Sequence, residues 1–284
     1  MGLIDLHTHS TASDGTLSPS DLVQKAKEKG ITLLALTDHD TIDGVAEAQA
    51  RGKQLGVKVI AGIELSVNYY NQEMHILGYH VNVDHPILQE ELLKLRHYRE
   101  IRNPLMIERL KKLGISITLE EVGEIAEGNI IGRPHIAALL VRKGIVSTTE
   151  EAFERFLAVG KAAYVKKEKL TPQAGIELLK KAGATVVLAH PIFLEKQDKA
   201  SLSALLRELV SYGLGGIEAY YPEHSAEDVE KFVALAKEHN LIVTGGSDYH
   251  GSNKVDIELG RIMANGSPLP VELMKVIRES IEYV

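Results

Sequence analysis

The sequence predicts an α/β protein built on a parallel sheet or barrel. Strand and helix signals alternate from the first residues, seven strand-like segments can be counted, and most lead into an amphipathic helical pattern. The 284 residues, 44% of them hydrophobic, suffice for a sizeable core. The absence of cysteine excludes disulfides, thiolate nucleophiles and thiolate metal sites. A formal net charge of −7 argues against wrapping duplex nucleic acid through bulk charge. The apolar runs are too short to span a bilayer, and no secretory leader pattern precedes the first strand signal. A globular, cytoplasmic protein without membrane association is therefore expected.

Residues 3–6 form the first strand signal. Ser18-Pro19 supplies an N-cap and a first-turn proline, Leu22, Val23 and Ala26 give the helix an apolar stripe, and Gly30 stops it. Residues 33–37 are the next strand, 43–56 a helix ending in glycine, 58–64 the third strand and 73–79 the fourth. A long helix begins near Pro86, and Asn103-Pro104 is expected to kink or break it. Between about Tyr98 and Lys169 the strand signal disappears, and helical patterns fall around 119–126, 134–143 and 149–157. The rhythm then resumes with a helix at Thr171-Pro172 and strands at 185–189, 216–220 and 241–244. The helices between them carry Leu202, Leu205, Leu206 and Leu209, then Val229, Phe232, Val233 and Ala236, and a last helix carries Met274, Ile277 and Ile281. The organisation read from this is a scaffold in two parts, 1–97 and 170–284, interrupted by a helical insertion over 98–169.

Each strand signal carries or precedes metal-ligating side chains. His7 and His9 follow the first, Asp38, His39 and Asp40 the second, and Glu64 ends the third. His75 lies within the fourth, His190 ends the fifth, Glu218 sits on the sixth with His224 beyond it, and Asp248 and His250 follow the seventh. Loops after parallel barrel strands share one face, so residues far apart in sequence converge there. In His7-Thr8-His9, the two imidazoles project to the same side of a strand and can reach one ion. Either pattern alone is weak, since a solvated strand often carries a His-x-His pair. A bland core would put aliphatic residues at those positions, and the conjunction points to a metal centre. Asp38, Asp40 and Glu218 are left open between orienting ligand imidazoles and capping loops.

The motifs His7-Thr8-His9-Ser10 with Asp14-Gly15, Thr37-Asp38-His39-Asp40, Gly62-Ile63-Glu64, Ala189-His190-Pro191 and Ser247-Asp248-Tyr249-His250 resemble the PHP family, named for polymerase and histidinol phosphatase. The resemblance implies a distorted (β/α)7 barrel that holds two to three divalent ions and hydrolyses phosphoesters. It assigns His7, His9 and Asp248 to one ion, with Glu64 bridging to a second completed by His75 and His190. Asp14, His39 and His250 would hold a third. Six imidazoles and three carboxylates without sulfur suit Mn, Zn or Fe. Water activated between such ions would attack phosphorus, with no protein nucleophile needed. His224 is the candidate general acid, against a plain reading as a residue starting the next helix.

The insertion is expected to set specificity. Gly132-Arg133-Pro134-His135-Ile136-Ala137 puts an arginine beside a helix start, a good anion site. Lys166 and Lys167, within the stretch 161–169, could line the same cleft. This element resembles the PHP branch containing 3′,5′-nucleotide bisphosphate phosphatases and 5′→3′ exoribonucleases, and implies a phosphate clamp built from Arg133 and His135, with Lys167 a further substrate-binding candidate from the charge cluster. The expected activity is removal of the 3′-phosphate from nucleoside 3′,5′-bisphosphates, on a small phosphorylated substrate or a short single-stranded RNA end. The alternatives are a 5′→3′ exoribonuclease, a histidinol-phosphate-type monophosphatase and, from another class, a non-catalytic metal-binding module.

Overall fold

The computed structural model describes residues 2–70, 72–126, 131–165 and 169–282. The first half runs β1 (Leu3–Thr8), α1 (Pro19–Glu28), β2 (Ile31–Leu36), α2 (Val45–Leu55), β3 (Lys58–Tyr69), β4 (Gln72–Tyr79) and α3 (Pro86–Lys112). The insertion contributes α4 (Leu119–Ile125), α5 (Arg133–Arg142) and α6 (Thr149–Ala152), the last continuing into a π-helical turn over Phe153–Leu157. The chain then follows α7 (Pro172–Lys181), β5 (Thr185–Leu188), α8 (Lys199–Tyr212), β6 (Gly216–Tyr220), α9 (Ala226–Glu238), β7 (Ile242–Gly245) and α10 (Val271–Glu282). None of the described helices is long and apolar enough to cross a membrane.

Local chemistry sets several boundaries. Ser18 accepts from the Asp21 N–H ahead of Pro19, and Thr171 accepts from the Ala174 N–H ahead of Pro172. Gly56 closes α2 in the left-handed region, φ 69°, which a side chain rarely adopts.

The seven strands form one sheet in chain order. β1 and the segment after β7 are joined by a Thr8–Tyr249 bridge, with His9 N–H donating to Tyr249 O at 2.9 Å and Asp248 N–H to His7 O at 2.8 Å. These bonds bring the sheet's two edges together as a distorted barrel.

One strand departs from the expected parallel order: β4 is antiparallel to both β3 and β5. Tyr69 and Gln72 pair with only two residues between them, too few for a parallel crossover. β3 also continues beyond Glu64 to Tyr69, because its outer half pairs with β4.

Apolar clusters cover the sheet on both sides. Ile63, Leu65 and Ile76 pack with Leu179, Leu206 and Phe232, and Leu34 and Leu36 with Leu22 and Ala48 of α1 and α2, while the alternate strand residues Ile4, Leu33, Ile60, Leu77 and Val187 form a cluster on the other face. A separate cluster runs from Met106 to Ala163 within the helical segment. α3 is continuous through Pro104, so of the expected kink or break the break does not occur. The buried Asn103 side chain donates to Ile131 O at 2.8 Å and accepts from the Arg102 guanidinium, so tertiary contacts hold the helix across the proline.

Candidate metal centre

The nine proposed ligands converge at one end of the barrel. His7 and His9 lie on one side of the β1 line and are fully buried. Each places Nε2 at 3.2 Å from Glu64 Oε2, and Asp248 Oδ1 is 3.5 Å from His7 Nε2 and 3.1 Å from His9 Nε2. The reversal of β4 puts His75, its fourth residue, at the same barrel end as Glu64. His75 Nδ1 lies 2.8 Å and His190 Nε2 2.9 Å from Glu64 Oε1. Residues 38–40 run beside β3 through a His39–Glu64 bridge, leaving His39 Nδ1 3.0 Å from Glu64 Oε2. Asp14, in the loop after β1, lies 3.3 Å from His250 Nε2 and 3.9 Å from both His9 Nδ1 and His39 Nε2.

Three groups have donor atoms within 4.8 Å of one another: His7, His9, Glu64 and Asp248; His9, Asp14, His39 and His250; and His39, Glu64 and His75. They share members, with His9 and His39 each turning two ring nitrogens to different groups. His7 Nε2, both nitrogens of His9, His39 Nδ1, Glu64 Oε2 and Asp248 Oδ1 are buried without an aligned hydrogen-bond partner. Leaving so many polar atoms unpaired is costly. A divalent cation satisfies nitrogen and carboxylate donors of this kind at once, so the residues fit the expected group.

The charges agree. Burial lowers the His9 and His75 imidazoles, but carboxylates outweigh it: Asp248 and Glu64 push His9 up to about 9, and Glu64 and Glu73 push His75 up to about 10. His39 goes the other way, down to about 3, because burial and the positive His9 and His75 exceed the pull of Glu64 and Asp14. Burial opposes ionisation of Glu64, Asp14 and Asp248 as well. The imidazoles around them, with Lys254 foremost beside Asp248, nevertheless hold all three well below the usual carboxylate range. The cluster is built around cationic charge.

A second ring of residues fixes these side chains. Glu218 receives His7 Nδ1 at 3.1 Å and the His190 backbone N–H at 2.8 Å, so it orients ligand groups. Asp38 and Asp40 serve loops instead: Asp38 accepts from Ser10 and Ser13, and Asp40 from the Ser66 N–H. Tyr221 OH donates to Asp248 Oδ2 at 3.0 Å and Lys254 pairs with the same oxygen, leaving Oδ1 toward the histidines. Asp5, unremarked in the sequence, accepts from Ser247 and Gly260 and ties β1 to the segment carrying Asp248. His190 and Asp248 sit at φ 22° and 55°, strained conformations of the kind concentrated at functional sites. A Cβ on Gly246 would lie 2.2 Å from His7 Cβ, so only glycine lets this segment press on β1.

A cavity of about 160 Å³ opens between this cluster and the insertion, lined by Asp14, His39 and His75 on one side and Arg133, Phe153 and Lys169 on the other. The Arg133 guanidinium lies over the Phe153 and Tyr164 rings, 5.6 and 5.9 Å from their centroids. His135 faces away from this role. It is buried, accepts the Gly132 N–H on Nδ1 at 3.0 Å and does not line the cavity, so it shapes the turn presenting Arg133. Lys167 lies outside the described residues; among those described, Lys169, two positions on, reaches the cavity. His224 is buried against Tyr221 and Phe232, with Nδ1 2.9 Å from Ala219 O. Burial lowers its proton affinity and it does not line the cavity, which argues against the general-acid role. Ser13, Ser66, Glu73 and Arg102 are polar cavity residues that the sequence motifs did not single out, and Lys169 ends the stretch 161–169.

The chain is similar to known proteins. The PHP domain model matches residues 5–248. A 5′-3′ exoribonuclease of Haemophilus influenzae is 36% identical over 87% of this chain and 89% of its own length. A 3′,5′-nucleoside bisphosphate phosphatase of Chromobacterium violaceum is 31% identical over 98% of this chain and 96% of its own. A solved amidohydrolase structure from Chromobacterium violaceum, with bound sulfate and no metal, superposes with a TM-score of 0.86 at 30% identity, covering 96% of this chain and 95% of that one. A family match along most of the chain, relatives above 30% identity and the convergent His, Asp and Glu cluster lead to one conclusion: the protein belongs to the PHP domain family and is a metal-dependent phosphoesterase.

Proposed function

We propose that the protein removes the 3′-phosphate of nucleoside 3′,5′-bisphosphates, yielding the nucleoside 5′-monophosphate. The observation that carries this is one cavity with ligand-type histidines on one wall and Arg133 and Lys169 on the other. A substrate with two phosphates matches both walls, whereas a monophosphate leaves the cationic wall unused. The relative from Chromobacterium violaceum bears the corresponding name.

In this reading His7, His9, Glu64 and Asp248 hold one ion, Glu64, His75 and His190 a second, and Asp14, His39 and His250 a third. Mn, Zn and Fe all suit these donors. Such ions supply Lewis acidity, lowering the pKa of water and neutralising charge on phosphoryl oxygens. The protein's part is positioning. Glu218 fixes the His7 ring and the His190 backbone, and the Asp248 carbonyl, 2.8 Å from His250 Nδ1, leaves Nε2 toward Asp14. Arg133, steadied by Phe153 and Tyr164, holds the 5′-phosphate while the 3′-phosphate meets the ligand cluster. The helical segment 98–169 acts as the specificity domain on the barrel parts 1–97 and 170–284. The protein works in the cytoplasm on small phosphorylated compounds, without duplex nucleic acid.

Phosphate release from adenosine 3′,5′-bisphosphate, histidinol phosphate and a 5′-phosphorylated oligoribonucleotide, side by side, tests the reading. Adenosine 3′,5′-bisphosphate is expected to be cleaved at least about tenfold faster than histidinol phosphate, the size of one lost charge-assisted contact. Equal rates would overturn the bisphosphate assignment. Stepwise mononucleotide release outpacing the bisphosphate reaction would move it to the exoribonuclease, the name borne by the relative from Haemophilus influenzae.

A further inference from the structure

Glu73 stands in the middle of the cationic wall. One carboxylate oxygen meets Arg133 Nη2 at 2.7 Å and Lys169 Nζ at 2.6 Å, and the other lies 3.1 Å from His75 Nε2. These donors come from three parts of the chain: α5, the segment before α7, and β4 itself. All three groups line the same cavity, with Lys169 only 9% exposed and Arg133 17%. A carboxylate collecting charge-assisted bonds from an arginine, a lysine and a histidine has the surroundings of a phosphate.

We propose that Glu73 is a displaceable internal anion occupying the phosphate-recognition position, so that it sets the charge a substrate needs to enter. This rests on the reading of Arg133 and Lys169 as the phosphate clamp. The arithmetic of charge gives it content. Arg133 and Lys169 contribute +2 and Glu73 −1, leaving +1 among the three. A phosphate dianion brings one more negative charge and more acceptor oxygens than the carboxylate, and can replace its bonds in one exchange. A neutral or carboxylate-bearing compound offers no such gain, and Glu73 keeps its place. Glu73 is thus a specificity-determining residue: any anion must displace it, which lowers anion affinity, and a doubly charged phosphate recovers that cost best. Because its other oxygen faces His75, the exchange also changes what the proposed ligand His75 touches on its outer nitrogen.

Titration calorimetry with AMP, which carries only the 5′-phosphate, and with adenosine tests the proposal on the metal-loaded protein. The ratio of AMP to adenosine affinity is expected to rise about tenfold in Glu73→Gln, and similarly in Glu73→Ala, as the competitor for the cations is removed. An Arg133→Met variant is expected to lose most of that ratio. An unchanged or lower ratio in the Glu73 variants, with the Arg133→Met loss intact, overturns the role of Glu73 and leaves the clamp standing. An intact ratio in Arg133→Met overturns the clamp itself. A crystal structure of the unaltered protein with AMP provides a check independent of any variant. Phosphate oxygens against Arg133 and Lys169, with the carboxylate swung away, support the exchange; Glu73 still paired with both overturns it.

Discussion

Glu64 lies between five imidazoles, with His7, His9, His39, His75 and His190 all within 3.2 Å of its carboxylate oxygens. It is fully buried and belongs to two of the three donor groups. Glu64→Gln preserves volume but removes the negative charge that offsets those rings. Metal content by elemental analysis is expected to drop, and phosphoesterase activity to fall by about 100-fold or more, the upper range for outer-sphere changes. Full metal content with normal turnover would remove Glu64 from the centre. Most of the nine ligand candidates were legible because they sit at or just beyond strand ends, where barrel topology collects residues regardless of separation. Glu73 was not, since a glutamate two residues before a histidine reads as a solvated strand side chain. Its partner Arg133 is 60 residues away and reaches it only through packing of the insertion. His135 and His224 show the reverse problem: sequence locates a histidine near a helix start but not the direction of its ring.

At the scale of elements, the long helix α3 carries a proline in its interior. Pro104 cannot donate to the carbonyl one turn back, and its ring crowds that carbonyl. The position is exposed, so a smaller residue opens no cavity. Pro104→Ala is therefore expected to stabilise the protein by about 1 kcal/mol or more, set by helix propensity against the proline's restriction of the unfolded chain. A thermal melt checks this, and a lower midpoint would mean that the proline's geometry is required by the insertion. Of the kink or break read from the sequence, the break does not occur, because propensity is local. Asn103, buried beside the proline in sequence, anchors the chain through its bond to Ile131 O, and the adjacent Arg102 guanidinium holds its side-chain oxygen. The reversal of β4 has a different origin. Alternation of apolar and polar residues is identical in parallel and antiparallel strands, so only the short β3–β4 connection carried the direction. That direction matters chemically, because in a parallel β4 His75 would lie toward the opposite end of the barrel from Glu64.

For the whole molecule, the metal centre and the fold share one electrostatic balance. The histidine cluster joins β1, the loops after β2 and β5, β4 and the segment after β7, so its protonation bears on closure of the barrel. In protein stripped of metal, the folded state holds protons on His9 and His75 up to about pH 9 and 10. An unfolded histidine releases its proton near 6.5. Their stabilising contribution is therefore complete below about 6.5 and is lost as pH rises through 9 and 10. His39, depressed to about 3, acts oppositely: the unfolded chain binds its proton first, and stability falls as pH drops from about 6.5 toward 3. Asp14, Glu64 and Asp248, all held low, add to that acid limb. The metal-stripped protein is accordingly expected to melt highest near pH 6.5 and to lose at least about 5 °C by pH 10. Loading with Mn or Zn should raise the midpoint most on the alkaline side, where ions meet least competition from protons. Melting curves of stripped and loaded protein between pH 4 and 10 decide it. A stripped midpoint flat or rising from pH 6.5 to 10 would show that the imidazoles do not hold the barrel end through charge.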